Sequence, residues 1–184
     1  MRFSDKQIAG TVILLGSLQF ILCMVVSESL YINYSVSKNF ISDLGVGKVA
    51  WLFNSSIILF GLSVLASAYF FNKAFNYIPG TLLLFITGLG IAGVGIFPEN
   101  IEPWHFIASF VAFFFGGILA IGAYRFEKPP LNCVSVILGL LSLGALVLFA
   151  IGSDLGLGQG GMERIIAYPI LLWAIAFGTY LSNS

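Results

Sequence analysis

The stretch "IPGTLLLFITGLGIAGVGIF", Ile78–Phe97, holds no charged residue. Its length is the ~20 residues that a helix needs to cross the hydrocarbon core of a bilayer. Gly88, Gly90, Ala92, Gly93 and Gly95 crowd it. In lipid, such small residues let neighbouring helices approach closely, because association there relies on packing. A helix apolar on every side is either the core of a large soluble protein or a membrane span. The rest of the chain decides between them. Of 184 residues, 59% are apolar and 9% charged, where a soluble domain carries about 25% charged. So few charges cannot cover a soluble surface, and the chain reads as an integral membrane protein.

Five more apolar runs of spanning length lie near Ile8–Val26, Val49–Phe71, Trp104–Tyr124, Cys133–Gly152 and Glu163–Leu181. The expectation is one all-α membrane domain over residues 1–184, a multi-pass bundle of six transmembrane helices in the plasma membrane. The first run follows a basic start, as in a signal peptide, but it is long enough to span and no small-residue cleavage box follows it; a retained helix is expected. Pro79 and Pro103 occupy first-turn positions, where the missing N–H costs little. Pro98 closes the third span.

With both termini inside, Arg2, Lys6, Lys73, Arg125 and Lys128 lie on the inner side, and Lys38, Lys48 and Arg164 on the outer side. That asymmetry follows the positive-inside rule. Glu28, Asp43, Glu99, Glu102, Asp154 and Glu163 then fall on the outer side. Trp51 and Trp104 mark the outer boundary, with Tyr69, Tyr77 and Tyr124 at the inner one. The net charge is zero, which excludes the basic face that nucleic acid requires. Cys23 and Cys133 sit in apolar runs and read as small buried hydrophobes. A single histidine makes a transition-metal site implausible, and no cofactor is implied.

"SDLGVG", Ser42–Gly47, returns as "SDLGLG", Ser153–Gly158, each ahead of a span that runs inward. This suggests a repeat of helical hairpins, spans one–two and five–six, as parallel repeats do in transporters. The alternative is two independent Ser-Asp caps with turn glycines. "GLGQGG", Gly156–Gly161, satisfies a dinucleotide-loop pattern but follows a span rather than a strand. A flexible loop is all it supports.

Polar residues at membrane depth are costly unless paired, so they are the candidates for function. The outer half collects Asn39, Ser42, Asp43, Asn54, Glu99, Glu102, His105, Asp154, Glu163, Arg164 and Tyr168. Arg164 and Tyr168 share a helical face, and Pro169 frees the Ile165 carbonyl beside them. Arg164 is expected to pair with Asp43 or Asp154 and lock the outer loops, or to hold an anionic headgroup. His105 reads as a cap of the fourth span or, beside acidic neighbours, as a general base.

Together "YSVSKNFISDLG", "FNSS", "GVGIFP" followed by His105, "GGMERI" and "YPILLW" resemble the multi-pass prokaryotic membrane family called domain of unknown function 998, over nearly the whole chain. The resemblance implies a six-span bundle, and a site drawn from Ser35, Asn39, Ser42, Asp43, Asn54, His105, Glu163, Arg164 and Tyr168. It brings no activity with it. The first functional reading is a non-enzymatic protein that binds a membrane lipid headgroup or a small solute at a polar outer-leaflet site. The alternatives are a membrane enzyme acting on lipid, with His105 as base and Asp43 or Glu163 orienting it, and a structural subunit that docks a membrane-protein partner.

Overall fold

The computed structural model describes residues 3–183, so Arg2 of the charge count lies outside them. Six helices follow one another: α1 (Asp5–Leu30), α2 (Ala50–Phe75), α3 (Ile78–Ile96), α4 (Trp104–Gly122), α5 (Leu131–Ala150) and α6 (Gly158–Ser182). Among the described residues all regular structure is helical, and all six helices are long and apolar enough to cross a membrane. Short 3-10 turns at Ser42–Gly45 and Ala123–Arg125 punctuate the connections.

Local chemistry sets the helix ends. Ser4 Oγ accepts from Gln7 N at 3.1 Å while Ser4 N donates to Gln7 Oε1 at 3.0 Å. This capping box satisfies two donors at the start of α1 and extends the helix upstream of the apolar run. α2 stops where Asn76 turns left-handed (φ 45°), and α3 stops at Phe97, whose successor Pro98 disfavours helical backbone before it. α6 begins five residues earlier than its apolar run suggests, because Gly158, Gly160 and Gly161 of the expected loop are helical, while Gly156 remains in the preceding turn. Gly158 takes φ 73°, and a Cβ there would strike the Ser37 carbonyl. Glycine is required at this point by the close approach of two backbones.

Each helix packs against its neighbours in sequence, and α6 closes the ring on α1. Glycines set the spacing: a Cβ on Gly61 of α2 would fall 2.7 Å from Ala92 Cα of α3, and one on Gly10 of α1 would fall 2.6 Å from the Gly178 carbonyl of α6. Serines stitch the seams, Ser67 Oγ donating to the Ala9 carbonyl (2.9 Å) and Ser142 Oγ to that of Ile166 (2.8 Å). Phe20, Phe53 and Phe60 fill the centre, with Phe20 and Phe60 stacked at 5.7 Å. Leu22, Leu59, Leu82, Leu140 and Val147 point outward, as a lipid-facing surface demands.

The antiparallel order gathers the α1–α2, α3–α4 and α5–α6 connections on one face, the loop face, which carries Trp51 and Trp104. The two SDLG copies there have different structures. Ser42–Gly45 is a 3-10 turn with Ser42, Leu44 and Gly45 buried. At the second copy Asp154 is exposed and merely accepts from Gly156 N at 2.9 Å. The copies are not equivalent corners of the bundle.

Candidate functional site

Arg164 organises the loop face. It stands in the second turn of α6 and is 4% exposed. Nη1 donates to the carbonyls of Val36 (3.0 Å), Asn39 (3.1 Å) and Gly160 (2.8 Å). Nη2 donates to Glu28 Oε1 and to the Tyr34 hydroxyl, both at 2.6 Å. Glu28 ends α1, so the pair joins α6 to α1, with the α1–α2 connection wrapped around the guanidinium. Asp43 and Asp154, the partners expected from the sequence, are engaged otherwise. Asp43 Oδ2 accepts from Asn39 Nδ2 (2.8 Å) and Phe40 N (3.1 Å), and Asp154 caps its own turn. The correction has a simple cause: Glu28 reaches Arg164 from the end of α1, while both aspartates satisfy nearby backbone first.

That knot is tight. Asn39 Oδ1 accepts from Ser35 N (3.0 Å), the Tyr34 hydroxyl donates to the Phe40 carbonyl (2.9 Å), and Gly160 N donates to the Ser37 carbonyl (3.1 Å). Burial pushes the Tyr34 phenol further above its ordinary range, so it stays a neutral donor. Asn54 Nδ2 donates to the Gly45 carbonyl at 2.9 Å, closing the Ser42–Gly45 turn onto α2.

Beside this lock lies a cavity of about 470 Å³ between the α3–α4 connection, α4, α5 and α6. Ser42, Glu99, Glu102, His105, Ser109 and Glu163 line it together with the rings of Phe40, Phe106, Phe110, Phe113 and Phe149. Phe106 and Phe110 are substantially exposed and Ala150 is exposed, so the cavity reaches the surface beside the start of α4 and the end of α5. A smaller core cavity of about 70 Å³ lies beyond, sharing Ser42, Ser109, Phe113 and Glu163 with it.

The polar part of the lining is acidic, with Glu99, Glu102 and Glu163 in it. Glu163 accepts from Ile41 N. Glu99 is held up to about 8, first by burial, then by the Asp43 carboxyl within hydrogen-bond reach and by the charge of Glu163. At neutral pH the Asp43–Glu99 pair therefore retains a proton. Among the described residues no Lys or Arg lines the cavity, and both Nη groups of Arg164 are engaged in the lock. His105 Nδ1 lies 2.8 Å from the Phe97 carbonyl oxygen and Nε2 3.2 Å from Ser109 Oγ.

Of the residues singled out in the sequence, Ser42, Glu99, Glu102, His105 and Glu163 line this cavity, and Asp43 stands behind Glu99. Ser35, Arg164 and Tyr168 border a separate, shallow groove beside the lock. Asn39 and Asn54 serve the loop itself, and Asp154 faces solvent. Sequence reasoning missed Glu28 as the partner of Arg164 and Ser109 as the partner of His105. For Ser109 the available signal was its i, i+4 spacing from the only histidine.

Fold and site together define a multi-pass helical membrane protein with a cavity lined by carboxyl groups and phenyl rings. The chain belongs to the family described as protein of unknown function DUF998, whose model matches residues 14–180. No curated protein and no solved structure matches it.

Proposed function

We propose that the protein binds an amphiphile, a membrane lipid entering sideways, with its chain among Phe106, Phe110, Phe113 and Phe149. The head meets Glu99, His105 and Glu163. The observation that carries this reading is the mixed lining of the cavity, carboxyl and imidazole groups beside five phenyl rings, with Phe106 and Phe110 substantially exposed. Its volume falls within the range of ligand pockets, about 300–1,000 Å³. A water-soluble solute would leave the phenyl wall without a partner, and a docked protein has no matching need for a cavity.

Electrostatics narrows the head. Three carboxyl groups and no basic side chain except His105 disfavour a phosphate monoester, whose charge would add to theirs. A neutral or amine-bearing head suits the site. On the basic-residue asymmetry the cavity sits in the outer leaflet of the plasma membrane.

Native mass spectrometry of the chain released from nanodiscs of mixed phosphatidylethanolamine, diacylglycerol and phosphatidic acid tests this. The expected spectrum shows one retained neutral or amine-headed lipid, lost in Ala150→Trp, which plugs the lateral opening. Equal retention by both chains, or preference for phosphatidic acid, would overturn the reading.

A further inference from the structure

His105 is 7% exposed, with both ring nitrogens engaged. A carbonyl oxygen only accepts, so the contact with Phe97 places the proton on Nδ1. Nε2 then presents its lone pair to the Ser109 hydroxyl, and the chain's own backbone fixes that tautomer. Ser17, Ser56 and Ser63 each return the hydroxyl to the carbonyl three residues back. Ser109 gives its hydroxyl to imidazole instead, and it faces both cavities. Nucleophile, base and orienting acceptor thus stand in line at the wall of the cavity.

We propose that Ser109 is an acyl-accepting nucleophile, with His105 as its general base, acting on a carboxylic ester of the bound amphiphile. This rests on the binding reading and adds a reaction to it. Ser109 Oγ bonds to the ester carbonyl carbon as its proton passes to His105 Nε2, and the carbonyl electron pair moves onto oxygen. Collapse of that adduct breaks the bond to the alcohol oxygen, which leaves with the proton from Nε2. Water then attacks the acyl-serine, gives its proton to Nε2, and the acid departs as Ser109 Oγ takes that proton back. Phe97 is a positioning residue, acting through its carbonyl.

The full chain in nanodiscs is treated with an alkyl fluorophosphonate, and the adduct is located by peptide mapping. The expected result is a single adduct on Ser109, absent in Ser109→Ala and formed about 100-fold more slowly in His105→Gln, with decanoyl p-nitrophenyl ester hydrolysis following the same order. Should His105→Gln unfold, the Ser109→Cys chain carries the test. Paired with imidazole, its thiol alkylates at about pH 6, where an ordinary thiol is almost wholly protonated. No adduct on Ser109, hydrolysis unchanged in Ser109→Ala, or an inert Ser109→Cys thiol would overturn the proposal. Lipid retained without labelling overturns this inference alone; labelling without retained lipid overturns the binding reading.

Discussion

Arg164 Nη2 and Glu28 Oε1 lie 2.6 Å apart, an ion pair that ties the start of α6 to the end of α1 across 136 residues of chain. The side chains are 5% and 19% exposed, so neither charge can recover water when the other is removed. Breaking such a pair costs about 3–5 kcal/mol. Arg164→Ala is expected to lower the thermal midpoint in detergent strongly, and Glu28→Gln by a smaller amount, since the amide still accepts one hydrogen bond. Arg164→Lys should fail to restore stability, because a single ammonium cannot reach three carbonyls, a carboxylate and a phenol at once. Unchanged midpoints in all three would remove the lock.

Helix spacing in α5 offers an internal control. A Cβ on Gly139 would fall 2.6 Å from the Gly117 carbonyl of α4, whereas Gly144 has nothing within 4 Å. Gly139→Ala should therefore destabilise the chain by forcing α4 and α5 apart, while Gly144→Ala should leave it unchanged or slightly more stable. Thermal unfolding of the two variants side by side checks this, and equal losses would contradict the packing described.

Stability should fall as pH rises. The folded-state value of Glu99, about 8, lies above its ordinary 4.5, so the folded chain keeps a proton that the unfolded chain gives up. The corresponding stability is full below about pH 4.5 and is lost as pH rises through about 8. Glu127, pushed by burial to about 7, steepens the same slope at the opposite end of the bundle. The groups facing Glu99 are Asp43, Glu163 and Ser42. The thermal midpoint is expected to drop between about pH 5 and pH 8. Glu99→Gln, which keeps the neutral form, should flatten the upper part of that drop. A midpoint that climbs over this window would contradict the shared proton.

Much of the fold is legible in the sequence for a physical reason. A bilayer demands about 20 apolar residues per crossing, and six runs meet that demand without ambiguity. Gly158–Gly161 reads as a loop because glycine usually signals a turn. Only the tertiary approach of the Ser37 and Asn39 backbones reveals that α6 starts there. The SDLG copies mislead for a related reason. Identical letters diverge because Asp43 has Asn39 four residues upstream to hold its carboxylate, whereas Asp154 finds only its own turn. Arg164 and His105 stand out in the sequence as isolated polar residues, yet their partners do not. Glu28 looks like the polar end of a span, and Ser109 looks like one more small residue in a packed helix.

Where a lipid chain sits is the measurement that bears most directly on the binding reading. A phosphatidylethanolamine carrying a diazirine along its acyl chain is reconstituted with the chain and irradiated, and the cross-linked peptides are sequenced. Cross-links concentrated on Phe106, Phe110 and Phe149, and lost in Ala150→Trp, are the expected result. Cross-links spread evenly over the outward leucines of all six helices, unchanged in Ala150→Trp, would contradict it.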